Sequence, residues 1–213
     1  MQLYLVRHAQ SRANADMSCR EVDCELTELG SRQAELVAAE LSRETFTQVL
    51  ASPYRRTVLT AREIAAASGS PLALLPLVHE HHIIAPAGWL PPTRAELLWR
   101  YTDLPLIGET PETTWHRLPE TCEQVAARMQ EVVALLCARY ADADRVLLVS
   151  HASPIQQLIG VATAGYTPLE ATRIPIGNAS LTVLDFSSGT SVAEVVGAVG
   201  RCDYLSLAEP VLT

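Results

Sequence analysis

Two histidines follow short apolar stretches of the sequence. Leu3 to Val6 is predicted to be a buried strand that stops at Arg7 and His8, and Val146 to Ser150 is predicted to be a second strand that stops at His151. Short apolar runs bounded by polar residues are typical of buried strands. In an open α/β sheet the ligand site lies just beyond the carboxyl ends of the strands. We therefore expect the two imidazoles to meet at one edge of one sheet.

Charged and polar residues follow the other predicted strands as well. Ser52 and Arg56 come after Gln48 to Ala51, and Glu80 comes after Leu72 to Val78. Arginines near helix N-termini favour a doubly charged oxyanion, because guanidinium groups, free backbone N–H groups and the helix dipole act together. A neutral imidazole can attack phosphorus, a carboxyl group can protonate the leaving oxygen, and arginine can neutralise the transition state. These residue types predict phosphoryl transfer through a phosphohistidine that requires no metal.

Each of these residues also has a structural explanation when it is considered alone. His8 and His151 could be capping or core residues, Arg7 and Arg56 could be surface charges, and Glu80 could be a surface carboxylate paired with an arginine. That interpretation requires several coincidences at one sheet edge. We therefore favour the functional interpretation of the whole set.

The composition excludes several other functions. The chain has 213 residues and a net charge of −8, and all 16 of its basic residues are arginine. The absence of lysine excludes a lysine Schiff base and the lysine of a P-loop. An acidic chain without a basic run is not expected to bind nucleic acid or an anionic membrane. The five cysteines form no CxxC pair and indicate free thiols in a cytoplasmic protein, with a Cys19–Cys24 bridge as the alternative.

Helix starts are predicted from capping residues. Thr27 and Thr121 are candidate N-caps, the latter with Gln124 at capping-box spacing. Ser52-Pro53 and Ser153-Pro154 resemble an N-cap followed by proline at the first helical position. They predict helices that run to about Ala67 and Ala164. The polar segment from Ser11 to Cys24 is predicted to be a loop.

The order of these elements predicts an α/β fold of three layers, α/β/α, around a mostly parallel mixed sheet. The proline-interrupted strand from Leu72 to Val78 should lie near an edge. Two further strands, Leu181 to Phe186 and Val192 to Val199, should form an antiparallel hairpin with its turn at 187–190. We expect a single domain over residues 1–213.

A lobe inserted at about 86–119 should lie over the carboxyl edge of the sheet. It holds six of the 13 prolines and all three tryptophans, and one helix is predicted from Thr93 to Tyr101. Its aromatic residues either line a pocket for an apolar or sugar-like leaving group or form a small core of the lobe. These residues are Trp89, Trp99, Tyr101 and Trp115. Four other residues are candidates to meet a second anionic group: Arg94, Arg100, His116 and Arg117.

Three further histidines surround Glu80. The run His79, Glu80, His81, His82 could be a metal cluster, but in a strand alternate side chains face opposite ways. Adjacent histidines also fit metal geometry less well than helical pairs four residues apart. We therefore expect no metal site, and a role for His81 or His82 in the pocket is the alternative.

Several segments of the chain together resemble the histidine phosphatase superfamily, the phosphoglycerate mutase-like fold. Its opening pattern RHG-[EQ]-[ST]-x-x-N is similar to RHAQSRAN, with Ala9 in place of the glycine. The other matching segments follow in the family's order. They are LTELGSRQA at 26–34, SPYRRTVLTA at 52–61, LLVSHASPI at 147–155 and GNASLTVLDF at 177–186.

The resemblance implies a role for each matching residue. His8 would be the phosphorylated nucleophile, and Arg7, Arg56 and His151 would hold the phosphoryl group. Asn14 and Ser11 would assist them. Glu80 is the best candidate for the general acid, although its VHE setting matches the family poorly.

The activity implied is that of a phosphomonoesterase that acts on a small phosphorylated metabolite without a cofactor. A phosphoglycerate mutase is an alternative that the missing lysine disfavours, because the mutases surround the substrate carboxylate with a lysine- and arginine-rich segment. A non-catalytic phosphate-binding protein is the other alternative. The sequence leaves the physiological substrate and the oligomeric state open, a homodimer included.

Overall fold

The computed structural model describes residues 1–16, 18–108, 115–186 and 194–199. Its six strands are β1 (Gln2–Arg7), β2 (Gln48–Ala51), β3 (Leu72–Leu74), β4 (Arg145–Ser150), β5 (Leu181–Asp185) and β6 (Glu194–Val199). They form one sheet in the order β3-β2-β4-β1-β5-β6. Strands β1 to β4 pair in parallel, whereas β5 and β6 are antiparallel. The predicted mixed sheet with an antiparallel edge is confirmed, and the turn expected at 187–190 falls outside the described residues.

Helices cover both faces of the sheet, as the predicted three-layer arrangement requires. The helices are α1 (Arg12–Ala15), α2 (Glu28–Leu41), α3 (Arg55–Ser68), α4 (Arg94–Arg100), α5 (Cys122–Arg139), α6 (Ala152–Thr163) and α7 (Pro168–Ala171). In β4, Leu147 and Val149 join the core beneath α2 and α3, whereas Val146 and Leu148 join the core beneath α5 and α6. A strand buried on both faces is typical of parallel sheets.

The predicted N-caps are confirmed where threonine supplies the cap. The Thr27 hydroxyl accepts from the Gly30 N–H, and the Thr121 hydroxyl accepts from the Gln124 N–H. The helix predicted in the 86–119 segment is also confirmed, with Thr93 as its N-cap.

The prediction that Ser52 and Ser153 are N-caps followed by a proline at the first helical position was wrong. Helix α3 has Tyr54 as its N-cap, and α6 has His151 as its N-cap, so Pro154 is the third residue of its helix. Proline is tolerated there because the first N–H groups of a helix have no partner within it. The serine hydroxyls instead bond to imidazoles, Ser52 with Nε2 of His151 and Ser153 with Nδ1 of His81.

Two shorter predictions need correction as well. Strand β3 ends at Leu74 and a 3₁₀ turn, Pro76–Val78, follows it, since Pro76 has no N–H to continue the ladder. The segment predicted to be a loop after Ser11 contains α1. The Asn14 Oδ1 accepts from both the N–H and the hydroxyl of Ser11 at the start of this turn.

The segment at 86–119 shares the core of the sheet. Leu97, Tyr101, Leu104 and Trp115 are buried in the same apolar cluster as α2 and α3, whereas the Trp99 side chain is 82% exposed. This shared packing supports our proposal that the chain is one domain with an inserted segment.

The described cysteines carry free thiols. Cys19, Cys24, Cys122 and Cys137 are free, so the alternative of a Cys19–Cys24 bridge is wrong. Within the residues that the structure covers, no helix combines the length and apolar character needed to cross a membrane.

Candidate active site

Both predicted histidines lie at the carboxyl edge of the sheet. Strands β1 and β4 are parallel neighbours with Arg7 opposite Ser150. The residues that follow these two, His8 and His151, therefore lie side by side at the carboxyl edge of the sheet. The His8 and His151 ring centroids are 5.2 Å apart. The spatial prediction made from the two strand ends is therefore confirmed by the geometry.

His8 is held in one neutral tautomer. Its Nδ1 lies 2.7 Å from the Ala9 carbonyl oxygen, which can only accept, so Nδ1 carries the proton. Its Nε2 accepts a hydrogen bond from Nε of Arg56 at 3.2 Å. Burial, followed by repulsion from Arg56, His151 and Arg7, lowers the pKa of His8 well below its usual value. The unprotonated Nε2 is thus the atom that the site offers as a nucleophile.

Arg56 lies at the centre of the constellation and is 5% exposed. Its Nη2 is 3.4 Å from Oε2 of Glu80 and 3.2 Å from Nδ1 of His151. Its Nη1 donates to the Val22 carbonyl at 3.0 Å, and its guanidinium carbon lies 4.5 Å from the centre of the Tyr54 ring. The structure therefore places a permanent cation within reach of both histidines and the carboxylate.

Glu80 faces His151 across the same space. Its Oε2 is 3.3 Å from Nδ1 of His151, and its Oε1 accepts from the His81 backbone N–H at 3.0 Å. Burial favours the neutral carboxyl, but His151 and Arg56 outweigh burial and hold the pKa of Glu80 well below its usual range. Burial lowers the pKa of His151 to about 4. The unliganded site thus combines a carboxylate with two uncharged imidazoles.

The remaining predicted residues flank His8. Arg7 donates from Nη1 to the Ile176 carbonyl at 2.8 Å, and its charge depresses the pKa of both His8 and His151, after the larger effect of burial. Ser11 and Asn14 bond to each other, whereas the hydrogen bonds of the His8 ring among the described residues are with Ala9 and Arg56. Their expected role toward phosphate therefore stays a prediction.

Asn178 is a residue that the sequence reasoning missed. Its Nδ2 lies 3.0 Å from the His8 carbonyl and 3.1 Å from Oδ1 of Asn14. It thereby ties the backbone of the candidate nucleophile to the turn at Ser11. Asn178 belongs to the GNAS segment, which matches the family pattern but does not by itself indicate a contact with the backbone of His8.

Tyr54 was also missed, and it connects the site to a cluster of aromatic rings. Its ring centroid is 5.0 Å from that of His151, and its hydroxyl lies 2.8 Å from Nε2 of His116 and 3.1 Å from Nε2 of His82. Burial raises the pKa of Tyr54, so the phenol stays neutral. Nε2 of His116 is thus bound to the Tyr54 hydroxyl, and His116 is buried, so it is not placed to meet a second anion.

Among the described residues, the histidines around Glu80 do not gather their ring nitrogens as a set of metal ligands. His79 donates from Nδ1 to the Glu80 carbonyl and accepts at Nε2 from the Arg117 N–H. His81 is bound between the Ser153 hydroxyl and the Glu120 carbonyl. Both nitrogens of each ring are therefore occupied, whereas Nε2 of His82 contacts the Tyr54 hydroxyl.

A different set of residues has the spacing of metal ligands. Nitrogen and oxygen atoms of His8, Glu80 and His151 all lie within 4.8 Å of one another. The Arg56 guanidinium contacts all three residues, however. A fixed cation in that position opposes a divalent cation and favours an anion. The charge distribution thus fits an oxyanion better than a metal ion.

A buried ion pair holds the segment that carries Glu80. Arg128 bonds through Nε and Nη2 to the carboxylate of Glu120 at 2.8 and 2.6 Å. Its Nη1 donates to the carbonyls of Leu77 and His79 at 2.6 and 3.2 Å. Helix α5 thereby fixes the backbone on the N-terminal side of Glu80. Nothing in the apolar pattern of α5 indicated this arginine.

The fold and the site together define an α/β protein in which two imidazoles and a carboxylate all contact one buried guanidinium at the carboxyl edge of the sheet. A family model described as the histidine phosphatase superfamily (branch 1) matches residues 3–198. The chain therefore belongs to the histidine phosphatase superfamily, as the sequence motifs implied.

Relatives and solved structures agree with this assignment. A probable phosphoglycerate mutase GpmB from Photorhabdus laumondii subsp. laumondii is 30% identical, with 98% of each chain covered. A mycobacterial glucosyl-3-phosphoglycerate phosphatase structure has a TM-score of 0.66 and 25% identity, covering 92% of this chain and 98% of that one. A phosphoserine phosphatase structure from Entamoeba histolytica, at 20% identity and a TM-score of 0.67, covers 96% and 98% and shows the shared fold.

Proposed function

We propose that the protein is a metal-independent phosphomonoesterase that hydrolyses a small phosphorylated metabolite through a phosphohistidine at His8. The observation that carries this proposal is the contact of Arg56 with His8, His151 and Glu80 at once. A phosphoryl group at this position meets a guanidinium that can neutralise its oxygens and an unprotonated Nε2 that can attack phosphorus. Arg7 adds positive charge at the same strand end.

In the first step, Nε2 of His8 forms a bond to phosphorus while the bond from phosphorus to the ester oxygen breaks. The electron pair stays on the leaving oxygen, which takes a proton from Glu80. Glu80 is ionised in the unliganded site, but a phosphate dianion raises the pKa of a neighbouring carboxyl. Glu80 therefore takes up a proton from solvent as the substrate binds. The hydrogen bond from Nδ1 of His8 to Ala9 stabilises the positive charge that the ring carries once it is phosphorylated.

In the second step, a water oxygen attacks the phosphohistidine. The new bond from oxygen to phosphorus forms as the bond from nitrogen to phosphorus breaks, and the electron pair returns to Nε2. Glu80, now a carboxylate, accepts the proton of the water. Inorganic phosphate leaves, His8 has regained its unprotonated Nε2, and Glu80 releases to solvent the proton that it took up when the substrate was bound.

A mutase is the second candidate, because the curated relatives at about the same length are named probable phosphoglycerate mutases. A mutase must return the phosphoryl group to a bound acid, so it needs cations around the substrate carboxylate. The segment after Glu80 instead presents exposed Ile83 and Ile84. The phosphatase is therefore the better supported of the two.

The free thiols support a cytoplasmic location.

The test is hydrolysis of p-nitrophenyl phosphate in EDTA together with acid-labile labelling by a phosphate donor. We expect the wild-type enzyme to turn over with EDTA present and to be labelled, and His8→Ala to lose both properties. His81→Ala is a matched control that removes an imidazole outside the constellation. A strict requirement for an added divalent cation, or labelling that survives in His8→Ala, would exclude the proposed mechanism.

A further inference from the structure

A large open cavity lies beside the candidate phosphoryl site. Its volume is about 1020 Å³. Four stretches of chain form its walls: the segment after α1, the beginning of α3, the turn before α4 and the end of α4. The lining residues are Cys19, Arg20, Glu21, Val22, Asp23, Arg55, Pro86, Ala87, Gly88, Trp89 and Arg100.

Two contacts connect the lining of the cavity to the phosphoryl site. The carbonyl of the lining residue Val22 accepts the hydrogen bond from Nη1 of Arg56. The ring of the lining residue Trp89 is 6.0 Å from the Tyr54 ring, which itself contacts Arg56 and His151. The leaving group of a monoester bound at His8 can therefore extend into this cavity.

The size of the cavity indicates the size of that leaving group. Pockets of about 300–1,000 Å³ bury most of the surface of a drug-sized ligand, and this cavity is at the upper end of that range. A three-carbon leaving group such as glycerate or serine would reach few of its walls. The dimensions thus favour a leaving group of at least one sugar ring.

The chemistry of the walls favours hydroxyl groups. Arg100 bonds to Oδ2 of Asp23 at 2.7 Å, and Arg55 lies 3.7 Å from Glu21 and also bonds to Glu25. Most of the wall charges are thus already neutralised in pairs, and each pair still offers donors and acceptors side by side. Such pairs match neighbouring hydroxyls, which both donate and accept. Trp89 supplies an apolar face across from them.

We propose that this cavity binds the leaving group of the substrate and that this group is a sugar-sized, polyhydroxylated moiety. The proposal rests on the proposed phosphatase function and names its substrate class. Trp89 covers one face of the ring, while the Arg100–Asp23 pair meets its hydroxyls. These residues determine specificity and take no part in the transfer of the phosphoryl group.

The test compares kcat/KM for hexose phosphates and glycosylated monoesters with that for glycerol 3-phosphate, a nucleoside monophosphate and p-nitrophenyl phosphate. We expect the sugar-bearing esters to be the best alkyl substrates. Trp89→Leu should lower their kcat/KM about tenfold or more, because the apolar contact with the ring is lost, and should change the value for glycerol 3-phosphate by less than about threefold. Trp99→Leu is the matched control, since Trp99 is exposed and lies outside the cavity lining.

A second pair of variants guards against misfolding of Trp89→Leu. Arg100→Gln should weaken the sugar esters selectively, whereas Arg94→Gln, on the same helix but outside the lining, should not. Preference for the nucleoside monophosphate, or equal loss for all esters in both cavity variants, would overturn the inference while leaving the phosphatase intact. Failure of the wild-type enzyme to hydrolyse p-nitrophenyl phosphate would instead overturn the proposed function itself.

Discussion

Glu80 must meet two opposite requirements in the proposed reaction. It has to donate a proton to the leaving oxygen in the first step, yet Arg56 and His151 keep it ionised in the empty site by holding its pKa low against the effect of burial. Binding of a dianion resolves the conflict, because the phosphate offsets the charge of Arg56 and raises the pKa of the carboxyl. Binding of the substrate therefore converts the Glu80 carboxylate into the protonated acid that the first step requires.

Replacement of Glu80 by glutamine should reveal this role. We expect Glu80→Gln to slow turnover of an alkyl monoester by about 10²–10⁴-fold and turnover of p-nitrophenyl phosphate much less, since nitrophenolate leaves without a proton. Steady-state kinetics on both substrates would measure the difference. Glu123→Gln, at an exposed position on α5, is the control. An equal loss on both substrates would show that Glu80 is not the acid.

The residues that could be predicted share one property. His8, His151 and Arg56 stand directly after strands or in the first turn of the following helix, where topology alone brings side chains together. Tyr54, Asn178 and Arg128 act through partners far away in sequence. Asn178 reaches a backbone carbonyl 170 positions away, and no local pattern encodes such a contact. The predicted serine N-caps were wrong for the same reason. The hydroxyls of Ser52 and Ser153 bond to imidazoles that are distant in sequence.

At the scale of elements, helix α5 acts on the site through the Arg128–Glu120 pair. The arginine side chain is fully buried and that of Glu120 is 2% exposed. Burial disfavours the charged arginine and lowers the pKa of Arg128, although Glu120 opposes that shift. The pair also joins the two ends of the segment around Glu80, since the Glu120 N–H donates to the His82 carbonyl.

Breaking this pair should be costly. Arg128→Met leaves a buried carboxylate and two backbone carbonyls without their donor, so we expect a loss of about 3–5 kcal/mol in the free energy of unfolding. Urea denaturation would measure it. The double variant Arg128→Met, Glu120→Gln should recover part of that loss, because the uncompensated charge is removed. A loss below about 1 kcal/mol in the single variant would contradict the inferred role.

The whole molecule holds five histidines whose pKa values lie below the usual value. Burial is the main cause in His8, His79, His82, His116 and His151, and it lowers the pKa of His116 to about 3. The unfolded chain binds protons at these positions below about pH 6.5, whereas the folded chain does not. Their contribution to stability is therefore complete above pH 6.5 and is lost as the pH falls toward the folded-state values.

We accordingly expect the free energy of unfolding to fall between pH 6.5 and 5, by about 1.4 kcal/mol per pH unit for each histidine that stays neutral in the fold. Carboxylates contribute little in this window because their own pKa values lie lower. Urea denaturation at several pH values would give the slope of the free energy of unfolding against pH. His116→Gln should reduce that slope by about 1.4 kcal/mol per pH unit, because one proton fewer is bound on unfolding. A flat profile from pH 7 to 5 would contradict the assigned protonation states.

The central position of β1 has a consequence for synthesis. This strand pairs with β4 on one side and β5 on the other, so its neighbours leave the ribosome about 140 and 180 residues after it. A nascent chain shorter than that carries β1 as an unpaired apolar strand. His8, the proposed nucleophile, then still lacks the neighbouring strand that ends at Ser150 and the second imidazole, His151. Contacts this far apart in sequence slow folding. The catalytic centre should therefore assemble late, and protection of β1 by chaperones should matter more for this protein than for one whose strands pair in chain order.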